Sequence, residues 1–354
     1  DRSVSRGLGD VYKRQFLEYL ESGERDPEEI TFMEPQAGGA CRAGNIYNLL
    51  QRVLYRMVEQ GQLEYAQIPV ISLNLMGEEK HTGFRITPSL LSGGIAAGCY
   101  GDLIMCLYQQ VKPYEQNPGE TDRIRSQVEK KLCESIRRHR NGRHTREKNY
   151  RYACEVFSKV PVKPGKKKRV GITGEIYMKY SKLGNDDIES FLLRQGMEPY
   201  SGGFINYCLY LVDTERYKAE KYQRNPIMAK ACAFVLHRLC EAQKHLLTVI
   251  GETDRFQTDL PFPELKEKVQ GILAEGCNTG DGWLIAAEVI QYVEKGCGSV
   301  LILHPFGCLV SHVCERGILQ RLHARFPDVS IQTIEYDYDQ SKTLRESRIL
   351  LAIS

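Results

Sequence analysis

The stretch RVGITGEIYMKYSKLGNDDIESFLLRQG, residues 169–196, contains the clearest succession of a strand and a helix in this chain. Arg169 to Thr173 is a short β-branched run that leads into Gly174, which predicts a buried strand. Asn185 to Gln195 has a capping Asn or Asp, apolar residues on one face and a terminating Gly196, which predicts a helix. We therefore expect a strand, a turn and a helix here.

The same alternation extends in both directions from this unit. Upstream, the patterns predict a helix over 43–60, a strand over 68–75, a helix over 89–111 and a basic helical segment over 121–160. Downstream, they predict helices over 226–250, 263–274, 282–294 and 314–326, with strands over 299–303 and 329–335. Alternation of this kind predicts an α/β protein whose parallel sheets are flanked by helices.

Length and composition are those of an ordinary globular protein with about two domains. The chain has 354 residues, of which 42% are hydrophobic and 26% charged, which excludes disordered, collagen-like and coiled-coil classes. Residues 1–15 resemble translated adaptor sequence, so we exclude them from fold reasoning and expect the natural protein to extend further upstream. We divide the remainder into a first α/β and helical region (16–160), a basic connector (161–168) and a second α/β region with a cleft (169–354).

Cysteine content and hydropathy indicate the compartment. The 12 cysteines, in a chain of this length with no secretory signal, predict reduced thiols or metal ligands and a cytoplasmic location. The longest uncharged stretches, 86–101 and 299–314, are interrupted by Gly, Pro, Ser or His and are shorter than a membrane-spanning helix, so we expect no membrane span.

Positive charge is concentrated in residues 121–170. This segment has 17 Lys or Arg and 5 Asp or Glu, a surplus of 12, although the whole chain carries only +3. Such a segment could bind nucleic acid or an acidic partner. The same charge pattern is typical of solvated helices followed by a linker. Because no RNA-binding or helix-turn-helix signature accompanies it, we do not expect nucleic-acid binding.

Two cysteines occupy positions where parallel α/β proteins bind ligands, beyond the carboxyl ends of strands. Cys41 lies in a Gly-rich turn at a helix start, where the helix dipole favours the thiolate. Cys308 follows a strand, in HPFGCLVSH (304–312). Cysteines distant in sequence can bind one iron–sulfur cluster, but a cysteine is more often a small buried hydrophobic residue. We assign that structural role to four others, which are spaced along predicted helices: Cys99, Cys106, Cys232 and Cys240.

Acidic residues and one histidine offer further candidates. Glu175 follows a predicted strand and could assist proton transfer, although capping of a loop or helix start is an equal alternative. Alternating acids at 335, 337 and 339 could hold a divalent metal, but more often form a solvated turn. Cys308, His312 and Cys314 lack the fourth ligand and the spacing of structural zinc sites. GKKKRVGITG (165–174) has its lysines before the strand, which is the wrong order for a phosphate-binding loop.

Six segments resemble one family and occur in its order. They are GGACRAGNIYNLL (38–50), QIPVISLNLMGEEKHTGFRIT (67–87), YGDLIMCLYQQVKPYE (100–115), RVGITGEIYMKYSKLGNDDIESFL (169–192), TGDGWLIAAEVIQ (279–291) and LHPFGCLVSHVCERG (303–317). Over residues 30–351 the chain is similar to the C-terminal part of the acyl-CoA dehydratase activase-related proteins. Those proteins belong to the superfamily of 2-hydroxyglutaryl-CoA dehydratase and benzoyl-CoA reductase components.

The resemblance implies Rossmann-like lobes around a 4Fe–4S cluster, with an ATP-driven activase as electron donor. In that superfamily, the electron makes a ketyl radical from a CoA thioester and permits dehydration or ring reduction. Matched by motif, Cys41 and Cys308 are the expected cluster ligands, and Cys208 in INYCLY is a weaker third candidate. Cys277 and Cys314 stand where the family has no characteristic cysteine, so we leave them out.

Departures from the family limit what this chain is expected to do alone. The ATPase and another cysteine-bearing segment lie upstream in relatives, so ATP binding is expected there or on a separate activase partner. Asp281 stands where relatives usually have Glu, which keeps the charge but shortens the reach. We expect an iron–sulfur component of a CoA-thioester dehydratase or reductase system, working anaerobically. The alternatives are a non-catalytic scaffold module that docks an activase and, less favoured, a nucleic-acid-binding protein.

Overall fold

The computed structural model describes residues 17, 19–23, 25–35, 45–73, 87–337 and 340–354. Its strands are β1 Phe32–Pro35, β2 Val70–Leu73, β3 Arg169–Gly174, β4 Glu198–Tyr200, β5 Cys297–Pro305 and β6 Ser330–Tyr336. Its helices are α1 Ile46–Glu59, α2 Pro88–Val111, α3 Glu120–Arg137, α4 Arg143–Ser158, α5 Ile176–Tyr180, α6 Ile188–Arg194, α7 Phe204–Lys221, α8 Pro226–Gly251, α9 Phe262–Glu267, α10 Gly282–Glu294, α11 Arg316–Arg325 and α12 Lys342–Ile353. A π-helical turn, Ser311–Glu315, precedes α11.

A four-stranded parallel sheet with the order β4-β3-β5-β6 organises the second region. β3 and β5 are its central strands, with Gly171 beside Val300, and β6 pairs with β5 through Leu303 and Ile334. A separate two-stranded parallel sheet pairs β1 with β2 in the first region. The predicted α/β class with parallel strands and flanking helices is confirmed.

Both faces of the four-stranded sheet are buried, as expected of a parallel sheet. Along β5, Val300 and Ile302 pack into the larger core with α10, while Leu301 and Leu303 pack into a second core with α6 and α12. Because side chains alternate across a strand, one continuous apolar run serves both cores. With both faces covered, the edge beyond the carboxyl ends of the strands is where sheets of this kind bind ligands.

Most predicted elements are present, but two of them differ, and so does the burial predicted for one cysteine. The segment predicted as a helix over 263–274 is helical only over Phe262–Glu267, and Gly271 has a φ of +77° that a helix cannot continue through. The basic segment 121–160 forms two helices, α3 and α4, separated by a turn in which His139 has a φ of +53°. Cys232 was predicted to be buried but is partly exposed on α8, because the first half of that helix lies outside the core.

The helix α2 is long and apolar enough to cross a membrane by length and composition alone. It packs against α3, α4, α7 and α8, and it buries polar Asp102 and Gln109 as well as apolar residues. Within its most apolar stretch 28% is buried inside the protein, and a single helix of this kind is weak evidence of a membrane span.

The basic residues of α3 and α4 lie on solvated helix faces. Each helix buries its apolar residues, among them Val128 and Phe157. Ion pairs spaced four residues apart run along the outer faces, with examples at 125–129, 134–138, 147–151 and 155–159. Exposed pairs of this kind contribute little stability and leave the surplus of positive charge facing water.

Candidate functional site

The candidate site is the carboxyl edge of the four-stranded sheet, where β3, β5 and β6 end side by side. In parallel α/β sheets the ligand crevice lies at this edge. The segment after β3 begins with Glu175, the segment after β5 contains Cys308, and β6 ends with Glu335 and Tyr336. Asp281, the residue before α10, is buried and lies within electrostatic range of Glu175 and Glu315.

Gly174 sets how closely the segment after β3 approaches β5. Its φ is +130°, and a Cβ there would lie 2.0 Å from the carbonyl oxygen of Leu303. The next amide, that of Glu175, donates to the same carbonyl at 2.8 Å. The Glu175 carboxylate then accepts from the Met178 amide at 3.0 Å and caps α5. Helix capping is therefore a role that Glu175 does have, and its role in proton transfer stays a prediction.

A buried ion pair lies beneath this segment. Lys179 Nζ is 2.7 Å and 2.9 Å from the two oxygens of Glu288, and both side chains are only 3% exposed. Thr173 Oγ1 donates to Glu288 at 2.6 Å. The carboxylate is thus bonded on both oxygens, which is the condition under which a buried charge is tolerated.

Two further buried carboxyl groups face the edge without a paired cation of their own. Burial, and then repulsion from Glu175, Glu315 and Glu288, holds the pKa of Asp281 well above its usual range. Burial raises the pKa of Glu315 to about 8. Ser311 donates to Oε1 of Glu315 at 2.7 Å, and Oε2 of Glu315 has no hydrogen-bond partner among the described residues. Glu315 is therefore largely protonated at neutral pH and can act as a proton donor.

Cys308 lies in the turn that follows β5 and is partly buried. Its amide donates to the Pro305 carbonyl at 3.2 Å, which closes the turn. Burial raises the pKa of its thiol to about 11, and the carboxyl groups of Glu175 and Glu315 add to this rise. Hydrogen bonding with Ser311 acts in the opposite direction and lowers the pKa. The thiol is therefore protonated unless a metal displaces the proton.

The structure brings Cys314 into the same neighbourhood, which the sequence analysis left out. Burial raises the pKa of Cys314 to about 11, and the charges of Cys277 and Glu315 add to this shift. Glu315 thus lies close to both Cys308 and Cys314. In the sequence, the signal for this grouping is that Cys308 and Cys314 are only six residues apart, in one short segment.

The other two expected ligands come from other segments of the chain. Cys208 lies on α7, where Asp102 and Cys99 are the charged or titratable groups that act on it, and burial raises its pKa to about 12. Asp102 accepts from the amides of Phe204 and Ile205 and so caps α7 from α2. Cys41 lies outside the described residues, so its position relative to Cys308 stays a prediction.

A cavity of about 220 Å³ opens beside Lys179, between α2, α3 and the segments after β3. Its lining combines the charged side chains of Arg125, Glu129 and Lys182 with Tyr108. Pockets for drug-sized ligands are larger, about 300–1,000 Å³, so this cavity by itself does not indicate a ligand.

A second group of potential ligands lies on the β6 side of the edge. His304 is the penultimate residue of β5, His312 lies on the π-helical turn, and Glu335 is the penultimate residue of β6. One ligand atom from each lies within 4.8 Å of the other two, and no other set of three His, Cys, Asp or Glu does so in the described ranges. In the sequence Glu335 is only one of several alternating acids. The pairing of β5 with β6 brings His304 to it, and the π-helical turn brings His312.

No family model, no curated protein and no solved structure matches this chain.

Proposed function

We propose that this chain is an iron–sulfur protein related to the 2-hydroxyacyl-CoA dehydratases and their activases. It would pass low-potential electrons toward the dehydration or reduction of a CoA thioester. The observation that carries the proposal is the position of Cys308, a partly buried thiol beyond the carboxyl end of a central parallel strand, next to buried acids. Parallel strands with helices on both faces also support the finer proposal of Rossmann-like lobes.

The donor chemistry fits a thiolate-bound cluster. Cys308 and Cys314 both lie near Glu315, and in a cluster each thiolate binds a different iron atom, so the thiols need not be in contact. We propose Cys308 as one ligand and Cys41 as another, with Cys208 and Cys314 as the candidates for the third. Because the pKa of the Cys308 thiol is raised, cluster binding would release a proton at this position.

The buried acids suit a reaction that couples electron and proton transfer. When bound, a 4Fe–4S cluster supplies one electron at low potential. Glu315 would hold a proton on its carboxyl group at neutral pH, and Asp281, whose pKa is also raised, would hold another. Such neutral acids can protonate a leaving hydroxyl group or a reduced substrate carbon in a site that excludes water.

Partners and location follow from this proposal. The electron donor would be an activase ATPase, either fused or separate, and the substrate would be a CoA thioester. The 11 described cysteines are all unpaired, which suits a reducing, cytoplasmic location under anaerobic conditions. A non-catalytic scaffold module that docks the activase is the alternative, and the buried acids beside Cys308 favour the catalytic version.

Anaerobic purification from the full reading frame, followed by iron and sulfide analysis, tests the proposal. We expect brown protein with about four iron and four sulfide per cluster. Cys308→Ala and Cys41→Ala should lose or convert the cluster, while Cys232→Ala, a partly exposed thiol on α8, should retain it. Colourless, iron-free protein after anaerobic reconstitution would overturn the proposal. Retention of the whole cluster in Cys308→Ala would remove Cys308 as a ligand.

A further inference from the structure

The second group of side chains, His304, His312 and Glu335, has the composition of a metal site and takes no part in the proposed cluster. The three residues come from the end of β5, the π-helical turn and the end of β6. Two imidazoles and one carboxylate are the donor set that zinc and iron(II) use when three protein ligands bind one ion.

The orientation of His312 is fixed by a backbone carbonyl. Its Nδ1 lies 2.7 Å from the carbonyl oxygen of Cys308, which can only accept, so Nδ1 carries the proton. Its Nε2 then faces Glu335 Oε2 at 3.3 Å with a lone pair, unless the ring takes a second proton. A lone pair opposite a carboxylate oxygen is repulsive, and a cation between them removes the repulsion. Metal-binding histidines are oriented by their other nitrogen in this same manner.

His304 supplies the buried side of the site. The residue is fully buried, and its Nδ1 lies 4.0 Å from the same oxygen of Glu335. Its Nε2 has no hydrogen-bond partner among the described residues, and its Nδ1 also lies 3.4 Å from the carbonyl oxygen of Pro305. A metal ion bound at Nδ1 would replace that long contact, with the ring proton on Nε2.

The distances are close to those that one ion requires. Zinc bonds to nitrogen and oxygen are about 2.0–2.2 Å long, so tetrahedral ligands lie about 3.4 Å apart. The His312–Glu335 distance of 3.3 Å already fits, and the His304–Glu335 distance of 4.0 Å needs only a small side-chain rotation. The rings of His304 and His312 stand edge to face, with centroids 5.3 Å apart.

Arg316 is the competing cation. Its Nη2 lies 3.1 Å from the same Oε2 of Glu335, and its side chain is 46% exposed. An exposed guanidinium is held weakly and can turn into solvent when a divalent ion binds the carboxylate. Competition of this kind predicts that removing the arginine strengthens metal binding.

We propose that His304, His312 and Glu335 bind a single divalent transition-metal ion, with zinc as the reference ion. Three protein ligands leave at least one position for water or an anionic group, as in catalytic zinc sites. The site adjoins the proposed cluster through the Cys308 carbonyl, and it differs from the cluster in its ligands, which are two imidazoles and a carboxylate and include no thiolate.

Titration of metal-free protein with Zn²⁺ and with Co²⁺ tests this proposal. We expect one equivalent to bind, and His312→Ala and Glu335→Gln to weaken binding at least about a hundredfold, since losing even a supporting residue costs 10- to 100-fold. Arg316→Gln should tighten binding. His237→Ala, an exposed histidine on α8, is the matched control and should bind like wild type.

The visible spectrum of the Co²⁺ form separates this site from the thiols. We expect ligand-field bands without a thiolate charge-transfer band, and the same spectrum in Cys308→Ala. A thiolate band that disappears in Cys308→Ala would overturn the assignment, as would wild-type affinity in both His312→Ala and Glu335→Gln. Thermal melts of the metal-free variants show whether each remains folded. His312 and Glu335 are partly exposed, so replacing them disturbs the fold less than replacing buried His304.

Discussion

Replacement of Lys179 by Met should destabilise the protein severely, because it leaves Glu288 buried without its cation. Both side chains of the pair are 3% exposed, and Lys179 Nζ bonds both carboxylate oxygens of Glu288 at 2.7 Å and 2.9 Å. Met retains most of the apolar stem, so the loss is mainly electrostatic. Removing one partner of a buried pair costs about 3–5 kcal/mol, and we expect a loss in this range in the free energy of unfolding.

Urea unfolding followed by tryptophan fluorescence measures this loss. Trp283 is the only tryptophan of the chain, is 1% exposed and lies on α10 with Glu288. Lys182→Met is the matched control, since that lysine is 62% exposed and 3.6 Å from Asp187, and it should change stability by less than about 0.5 kcal/mol. The double variant Lys179→Met/Glu288→Gln should recover much of the loss. Equal stability of Lys179→Met and wild type would refute the argument that this pair supports the site.

Further predictions concern backbone approach, pH and charge. Gly174→Ala should destabilise the fold strongly, because its Cβ would lie 2.0 Å from the Leu303 carbonyl oxygen. Gly298→Ala is the control, since a Cβ there meets no atom within 4 Å, and thermal melting compares the two variants. The pKa of Glu315 is raised from 4.5 in the unfolded chain to about 8 in the folded protein. The folded state therefore holds this proton more tightly, and the stability it gives is complete below pH 4.5 and is lost as the pH rises through 8. At 1.36 kcal/mol per pKa unit the loss is roughly 5 kcal/mol, and Glu315→Gln should flatten the stability profile between pH 5 and 8; a wild-type slope in the variant would contradict the assignment. Binding of the basic segment to random duplex DNA should be weak and disappear at moderate salt in a filter-binding assay, while salt-resistant, sequence-selective binding would favour the nucleic-acid alternative.

The periodic patterns in the sequence were sufficient for the main elements of the fold. The strand at 169–173 and the helix at 282–294 were predicted nearly to the residue, because an apolar run and a capped helix are local signals. The three-residue strand β4 and the helix α7 were not predicted. β4 is shorter than the window that reveals a pattern, and α7 buries polar Asn206 and Asp213 among its apolar residues, which weakens its periodicity.

The candidate site was less predictable, because its members come from separate strands. The position of Cys308 after a strand could be read locally, and the structure places it there. The gathering of His304, His312 and Glu335 depends on the β5–β6 register, which pairs His304 with Glu335 directly. Register is a long-range property, so this grouping has no signature in any one segment of the chain. Cys308 and Glu315, by contrast, both lie in the short segment after β5.

Electron paramagnetic resonance of anaerobically reconstituted, dithionite-reduced protein tests the central claim most directly. We predict the low-temperature signal of a reduced 4Fe–4S cluster in wild type and in Cys232→Ala, and its loss or conversion to a three-iron signal in Cys308→Ala. A reconstituted wild-type protein that contains no iron and gives no signal, or a Cys308→Ala protein whose signal and iron content equal those of wild type, would contradict the assignment of this site to an iron–sulfur cluster.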